Sequence, residues 1–177
     1  MDYPSAIGNK KGFTLIEMVV VIGVMAILGA VAVPSFLAWL PDSRLKAAAR
    51  DLYSNMQKAK MDAIRSNSNY RLVFDQGAGR YQLQDNGGAV KKIVTLADYH
   101  NGVDYGFGHA TGNATVGGGP LPGSPITYVD SDATFNSRGT GEAGYVYLSN
   151  SKNTAYAIGT RSSGSVVLRK WDGANWK

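Results

Sequence analysis

The chain contains no cysteine among its 177 residues, which excludes a disulfide framework, a thiolate metal site and a cysteine nucleophile at once. It gives no redox address either, because a chain without thiols suits both sides of a membrane. Histidine is scarce: His100 and His109 stand nine apart in a glycine-rich stretch, a spacing that matches no usual zinc site. Asp98, Asp104, Asp130 and Asp132 carry oxygens of the kind calcium takes, but not the ordered loop spacing, and read as solvated loop acids. No Gly-x-Ser-x-Gly occurs. Gly139-Thr140-Gly141-Glu142-Ala143-Gly144 matches a dinucleotide fingerprint in letters only, since an alternating strand pattern follows where a helix N-terminus is needed. The sequence therefore implies no catalytic residue, no metal and no cofactor. Charge is also sparse, at 18%, and a net +5 with pI near 9.4 falls short of the concentrated basicity of a dedicated nucleic-acid binder.

What is present is unevenly placed. The average of 44% hydrophobic residues, with mean hydropathy −0.15, hides a run of 16 apolar residues from Met18 to Val33, glycine included. Apolar character continues past Pro34 and Ser35 to Leu40. As a helix, residues 13–40 span about 42 Å, enough for a hydrocarbon core of about 30 Å. Lys10 and Lys11 before the run favour a cytoplasmic N-terminus with the remainder exported, and Trp39 suits an interfacial anchor.

An ordinary signal peptide, with Ala30-Val31-Ala32 as its cleavage site, and a plain one-pass anchor both compete for this segment. Glu17 fits neither. A carboxylate near the start of an apolar helix costs roughly 2.5–3.5 kcal/mol in lipid and normally has a partner. Pro34 also removes a backbone hydrogen bond within the span. The stretch Lys11-Gly12-Phe13-Thr14-Leu15-Ile16-Glu17 resembles the cleavage and methylation signal of type IV prepilins and type II secretion pseudopilins. The resemblance implies that a prepilin peptidase cuts after Gly12 and methylates Phe13. Glu17 is then the fifth mature residue, meeting the terminal amine of a neighbouring subunit during assembly, and Pro34 is the helix-bending proline. A buried carboxylate and ammonium offset one another only when well paired, so such a pair acts as a register check.

Beyond the span, Pro41-Asp42-Ser43 reads as a helix start with Asp42 or Ser43 as N-cap. Apolar residues recur at Leu45, Ala49, Leu52, Met56, Ala59 and Ala63, one stripe of a helix over 42–66 that packs on the sheet that follows, its charged side solvated. Joined to the first segment it makes a helix of about 80 Å. After Asn69 the period becomes two. Residues 70–75 and 80–85 read as a hairpin across 76–79, residues 90–96 as a third strand, and 98–125 as a long glycine-rich variable loop. Strands resume at 127–129, 133–136, 145–149, 155–161 and 165–171. The expected fold is α+β: a long N-terminal helix, transmembrane then amphipathic, packed on a C-terminal antiparallel β domain over residues 70–171.

Phe135-Asn136-Ser137-Arg138-Gly139-Thr140, then 144–150 and 164–171, resemble the C-terminal region of the GspH/FimT group of minor pseudopilins and minor pilins. With the N-terminal signal, the resemblance implies a 12-residue leader, a 13–40 membrane and filament-core helix, and a periplasmic pilin-like domain over 41–177. The implied role is structural: a minor subunit in the inner membrane, cut by prepilin peptidase and built in with other minor and major pilins at or near a filament tip. Some FimT-type members bind DNA through a basic C-terminus. Arg169, Lys170 and Lys177, beside Trp171 and Trp176, are the candidate DNA contacts, diluted by Asp172 and by Ser165 where an arginine is usual.

Overall fold

The structure, a computed structural model, describes residues 12–100 and 102–177. The leader before Gly12, with Lys10 and Lys11, lies outside the described residues. The chain divides into two units, residues 1–39 and 40–177. Helix α1 runs Leu15–Arg65 without interruption.

In the first unit every large apolar side chain from Phe13 to Trp39 is exposed. By length and composition, this half of α1 qualifies as a membrane span. In the second unit the expected stripe is fully buried: Leu45, Ala49, Leu52, Met56, Ala59 and Ala63 are each at 0% exposure. Ala48 and Asn55 join them, widening the face. Each buried Leu or Met on it contributes about 1.5–3 kcal/mol. α1 ends in a Schellman turn. Asn67 adopts φ 49°, and the N–H groups of Asn67 and Ser68 donate to the carbonyls of Ile64 and Ala63.

The helix start expected at Pro41-Asp42-Ser43 is not there, because α1 continues through all three residues. A capping side chain serves orphaned first-turn N–H groups, and a continuous helix leaves none at this point. Asp42 is taken up elsewhere: its Oδ1 accepts from Asn150 Nδ2 at 2.7 Å and from Thr154 Oγ1 at 2.8 Å.

Strands β1 (Tyr70–Asp75), β2 (Arg80–Asp85) and β3 (Val90–Thr95) form an antiparallel meander. The third strand stops one residue short of Leu96, which opens a 3-10 turn over Leu96–Tyr99. β4 is Asp104–Tyr105, and β5 (Asp132–Phe135) pairs with the free side of β1. The first sheet is thus ordered β3-β2-β1-β5. Leu72, Phe74, Tyr81, Leu83, Ala133 and Phe135 alternate onto its buried face and share one core with the α1 stripe. The other face is polar, with Arg71 paired to Asp132 at 3.5 Å.

β6 (Gly144–Ser149), β7 (Ala155–Thr160) and β8 (Val166–Lys170) complete the second sheet, ordered β4-β6-β7-β8 and antiparallel throughout. β7 is buried at every residue. Val146, Leu148 and Ile158 enter the shared core, whereas Tyr145, Tyr147 and Ala157 face the opposite way into a second cluster with Ala114.

The stretch 98–125 is mostly loop, as expected, but part of it packs onto the domain. Val103 and Tyr105 are buried in the shared core, Ala110 and Ala114 are buried too, Phe107 packs at a tilt on Tyr147 with ring centres 4.9 Å apart, and Ala114 N donates to Tyr147 Oη at 2.8 Å. The glycine-rich stretch is the cover of a sheet that would otherwise expose tyrosines. The strand expected at 127–129 is absent as well. Ile126 makes a single bridge to Val146, and the chain then turns at Asp130 and Ser131, both at positive φ, which breaks an extended run.

Candidate functional site

At the N-terminus, Gly12, Phe13 and Thr14 precede the helix and α1 opens at Leu15. Thr14 Oγ1 accepts the backbone N–H of Glu17 at 3.3 Å, the first half of a capping box in Thr-x-x-Glu. The Glu17 carboxylate also lies in the first turn, where the helix dipole favours an anion. The Thr-x-x-Glu spacing of Thr14 and Glu17 is the sequence signal for this cap. Gly12 and Phe13, the two residues of the expected processing site, are both exposed, Phe13 at 75%, and the assembly candidate Glu17 is exposed as well. Pro34 lies inside α1 with helical residues on either side.

The C-terminal candidates are divided. β8 alternates its side chains, so Arg169 and Lys170 fall on opposite sides. Arg169 lines a cleft of about 440 Å³ with Trp171, Trp176 and Asn113, whereas Lys170 and Lys177 line a different one with His109. Lys177 Nζ pairs with Asp172 Oδ2. That contact, with the N–H groups of Asn175 and Ala174, holds the Asp172 carboxyl well below the usual carboxylate value.

Lys170 and Lys177 exchange backbone hydrogen bonds, at 2.6 and 2.9 Å, around a turn in which Asp172 Oδ1 accepts from Ala174 and Asn175 N–H. Trp171 and Trp176 meet edge-on at 5.3 Å, and Trp176 Nε1 donates to Gly112 O at 2.7 Å. The tail is a closed hairpin that clamps the glycine-rich cover. A polar Asp-Gly-Ala-Asn run between two tryptophans is a legible turn signal.

The stretch from Phe135 to Thr140 turns on Asn136. Its Oδ1 accepts from Arg138 N–H at 2.9 Å and Thr140 N–H at 3.2 Å, while its Nδ2 donates to Thr140 Oγ1 at 2.6 Å. Gly139 through Ala143 then form a turn and bridge leading into β6, with no helix for a nucleotide. Asp132 is engaged by Arg71 and Thr134. Among the described residues, no three His, Asp or Glu side chains converge as a metal site.

Known proteins resemble the chain in two segments. Residues 7–33 match the model of the prokaryotic N-terminal methylation motif, and residues 48–165 match that of the type II transport protein GspH. The pilin-like protein PilA1 of Thermus thermophilus is 37% identical over 78 residues, covering 42% of this chain and 47% of that protein. The chain thus spans about half the length of that relative. A fimbrial protein of Pseudomonas aeruginosa is 30% identical over 105 residues, covering 49% of this chain and 68% of its own length. The minor pseudopilin EpsH from the type 2 secretion system of Vibrio cholerae superposes with a TM-score of 0.49 at 13% identity, over 71% of this chain and 95% of that one.

Proposed function

This chain belongs to the family of the type II transport protein GspH and is a pilin-type structural subunit, and from that premise we propose that it acts as a minor pilin or pseudopilin at or near a filament tip. Prepilin peptidase cuts after Gly12 and methylates Phe13. The half of α1 up to Leu40 anchors the subunit in the inner membrane, N-terminus cytoplasmic and C-terminal domain periplasmic. It then moves into the filament core beside other minor and major pilins, with Pro34 as its bend. The observation that carries this reading is the division within α1: its first half leaves every large apolar side chain exposed, and its second half buries a full stripe. The exposed half needs lipid or other helices around it.

Glu17 supplies the assembly contact. Placed in the first turn with its carboxylate exposed, it is free to meet the methylated amine of a neighbour. Mass spectrometry of the protein from cells tests the processing: a mature chain beginning at methylated Phe13 is expected, and one beginning at Val33 would end the proposal. Glu17→Ala is expected to be cut normally and left out of filaments; normal incorporation removes the assembly role.

A second reading, DNA capture during transformation through Arg169, Lys170 and Lys177, draws support from the tryptophan pair beside them. A salt-dependent gel shift with the full chain separates the two. Binding that survives removal of Arg169 and Lys170 counts against this reading.

A further inference from the structure

The cleft beside Arg169 is built differently from the rest of the surface. One wall is the glycine-rich cover around Asn113 and Gly117-Gly118-Gly119, and the other is the C-terminal hairpin. Its volume, about 440 Å³, lies in the range of small-ligand pockets, roughly 300–1,000 Å³.

Side-chain donors at this cleft lack a charged or hydrogen-bonded partner. Arg169 makes no ion pair among the described residues, although the other strand-borne arginines, Arg71 and Arg80, do. Asn113 spends its Oδ1 on Thr115, which leaves its amide N–H groups uncommitted. Trp171, which lines this cleft and the neighbouring one alike, keeps its indole N–H buried with no partner. The cleft therefore favours an acceptor-rich, negatively charged ligand.

Two further features narrow the class. Trp176 is fixed by its bond to Gly112 O and by edge contacts at 5.4 Å to Tyr147 and 5.3 Å to Trp171, so the aromatic wall is rigid. Opposite it, Gly117 and Gly118 hold φ +100° and +71°, and a Cβ on either would meet nothing within 4 Å. Arg169 is the one Lys or Arg that lines this cleft, since Lys170 and Lys177 line the other. A polyphosphate chain draws its affinity from several cations together. A single guanidinium suits a single carboxylate, which it grips through two parallel hydrogen bonds.

We propose that this cleft binds an acidic saccharide, a uronate-bearing sugar whose carboxylate meets Arg169 and whose ring lies against the Trp171–Trp176 wall. The site is independent of the assembly contact at Glu17, so either can fail without the other.

The test uses the full chain in detergent micelles, with tryptophan fluorescence and calorimetry reporting binding. Trigalacturonic acid is the probe, maltotriose the neutral control, and a twelve-residue oligothymidylate the polyphosphate control. Trigalacturonic acid is expected to bind at least tenfold more tightly than either control. Arg169→Gln is expected to weaken it at least tenfold, and Asn175→Ala, at an exposed residue that lines the same cleft, at least threefold, which keeps a test in hand should the arginine variant misfold. Equal binding of the acidic and neutral sugars overturns the proposal, as does an Asn175→Ala and Arg169→Gln pair that binds like the parent. Tighter binding of the oligothymidylate also overturns it and assigns the cleft to nucleic acid.

Discussion

Asn150 donates from Nδ2 to Asp42 Oδ1 over 2.7 Å, joining residues 108 apart in the chain. The same asparagine accepts the N–H groups of Lys152 and Thr154 at its Oδ1, which shapes the turn between β6 and β7. One amide thus folds the hairpin and ties it to α1.

Asp42 titrates accordingly. Partial burial pushes its carboxyl up, but the bonds from Thr154 and Asn150 and the nearby Lys152 and Lys170 charges outweigh that and hold it below its ordinary value. A carboxyl held low in the folded state contributes stability above the unfolded value near 3.9 and loses it as pH falls through the folded one. Asp42→Ala is expected to cost about 1–2 kcal/mol at pH 7. The penalty is expected to shrink between pH 4 and 2. Denaturant midpoints of parent and variant across that range check both, and a penalty that persists at pH 2 would show that packing, not the charge, is responsible.

Tyr81 makes a second long-range tie from the first sheet. Asn55, nearly fully buried on α1, donates to Tyr81 Oη at 2.8 Å and accepts from Lys92 Nζ at 3.1 Å. Burial pushes the Tyr81 hydroxyl well above its ordinary value, so the neutral phenol persists across the working range. Tyr81→Phe leaves a buried amide donor without an acceptor and is expected to cost about 1–3 kcal/mol. The double variant with Asn55→Leu is expected to recover part of that loss, and a cost equal to the sum of the two singles would deny the coupling.

The helical stripe was legible because tertiary burial imposes a 3.6-residue period on any half-buried helix. Met56 sits on it at 0% exposure, and Met61, five residues on, is 49% exposed. Met56→Ala is expected to lose about 2–5 kcal/mol, and Met61→Ala no more than about 0.5. Thermal melts of the pair decide it.

The hairpin from Tyr70 to Asp85 was equally legible, its registers following the alternation residue for residue. The cover formed by 102–114 was not. Glycines at 102, 106, 108 and 112 remove any period, Tyr105 enters the shared core beside Leu148, and Phe107 and Ala114 are recruited singly by the tyrosines of β6. Isolated anchors spaced by glycine look like a solvated loop until the sheet beneath is known. The Asp42 turn misled for the opposite reason: Pro, Asp and Ser make a strong local start signal, and a helix already under way overrides it. Of the candidate sites, the N-terminal motif lies in one contiguous stretch and reads directly. The division of Arg169 from Lys170 and Lys177 depends on strand alternation and on a hairpin closing, so three neighbouring cations looked like one patch.

Gly164 and Gly139 offer the sharpest test of the fold, because they come from separate turns and touch. Gly164 adopts φ +73°, and a Cβ built on it would lie 1.8 Å from Gly139 O, a backbone atom that cannot swing aside. A Cβ built on Gly139, at φ +75°, would in turn lie 2.8 Å from Ile64 Cδ1 on α1. The three elements are therefore pressed together through two residues that lack side chains. Gly164→Ala is expected to cost about 3 kcal/mol or more, through overpacking and a left-handed backbone combined. Gly117→Ala is the matched control: its φ is also positive, at +100°, but open space surrounds it, so about 1 kcal/mol is expected. Chemical denaturation of the two variants separates steric contact from backbone strain. Equal losses would mean that the turns do not meet as closely as these positions require.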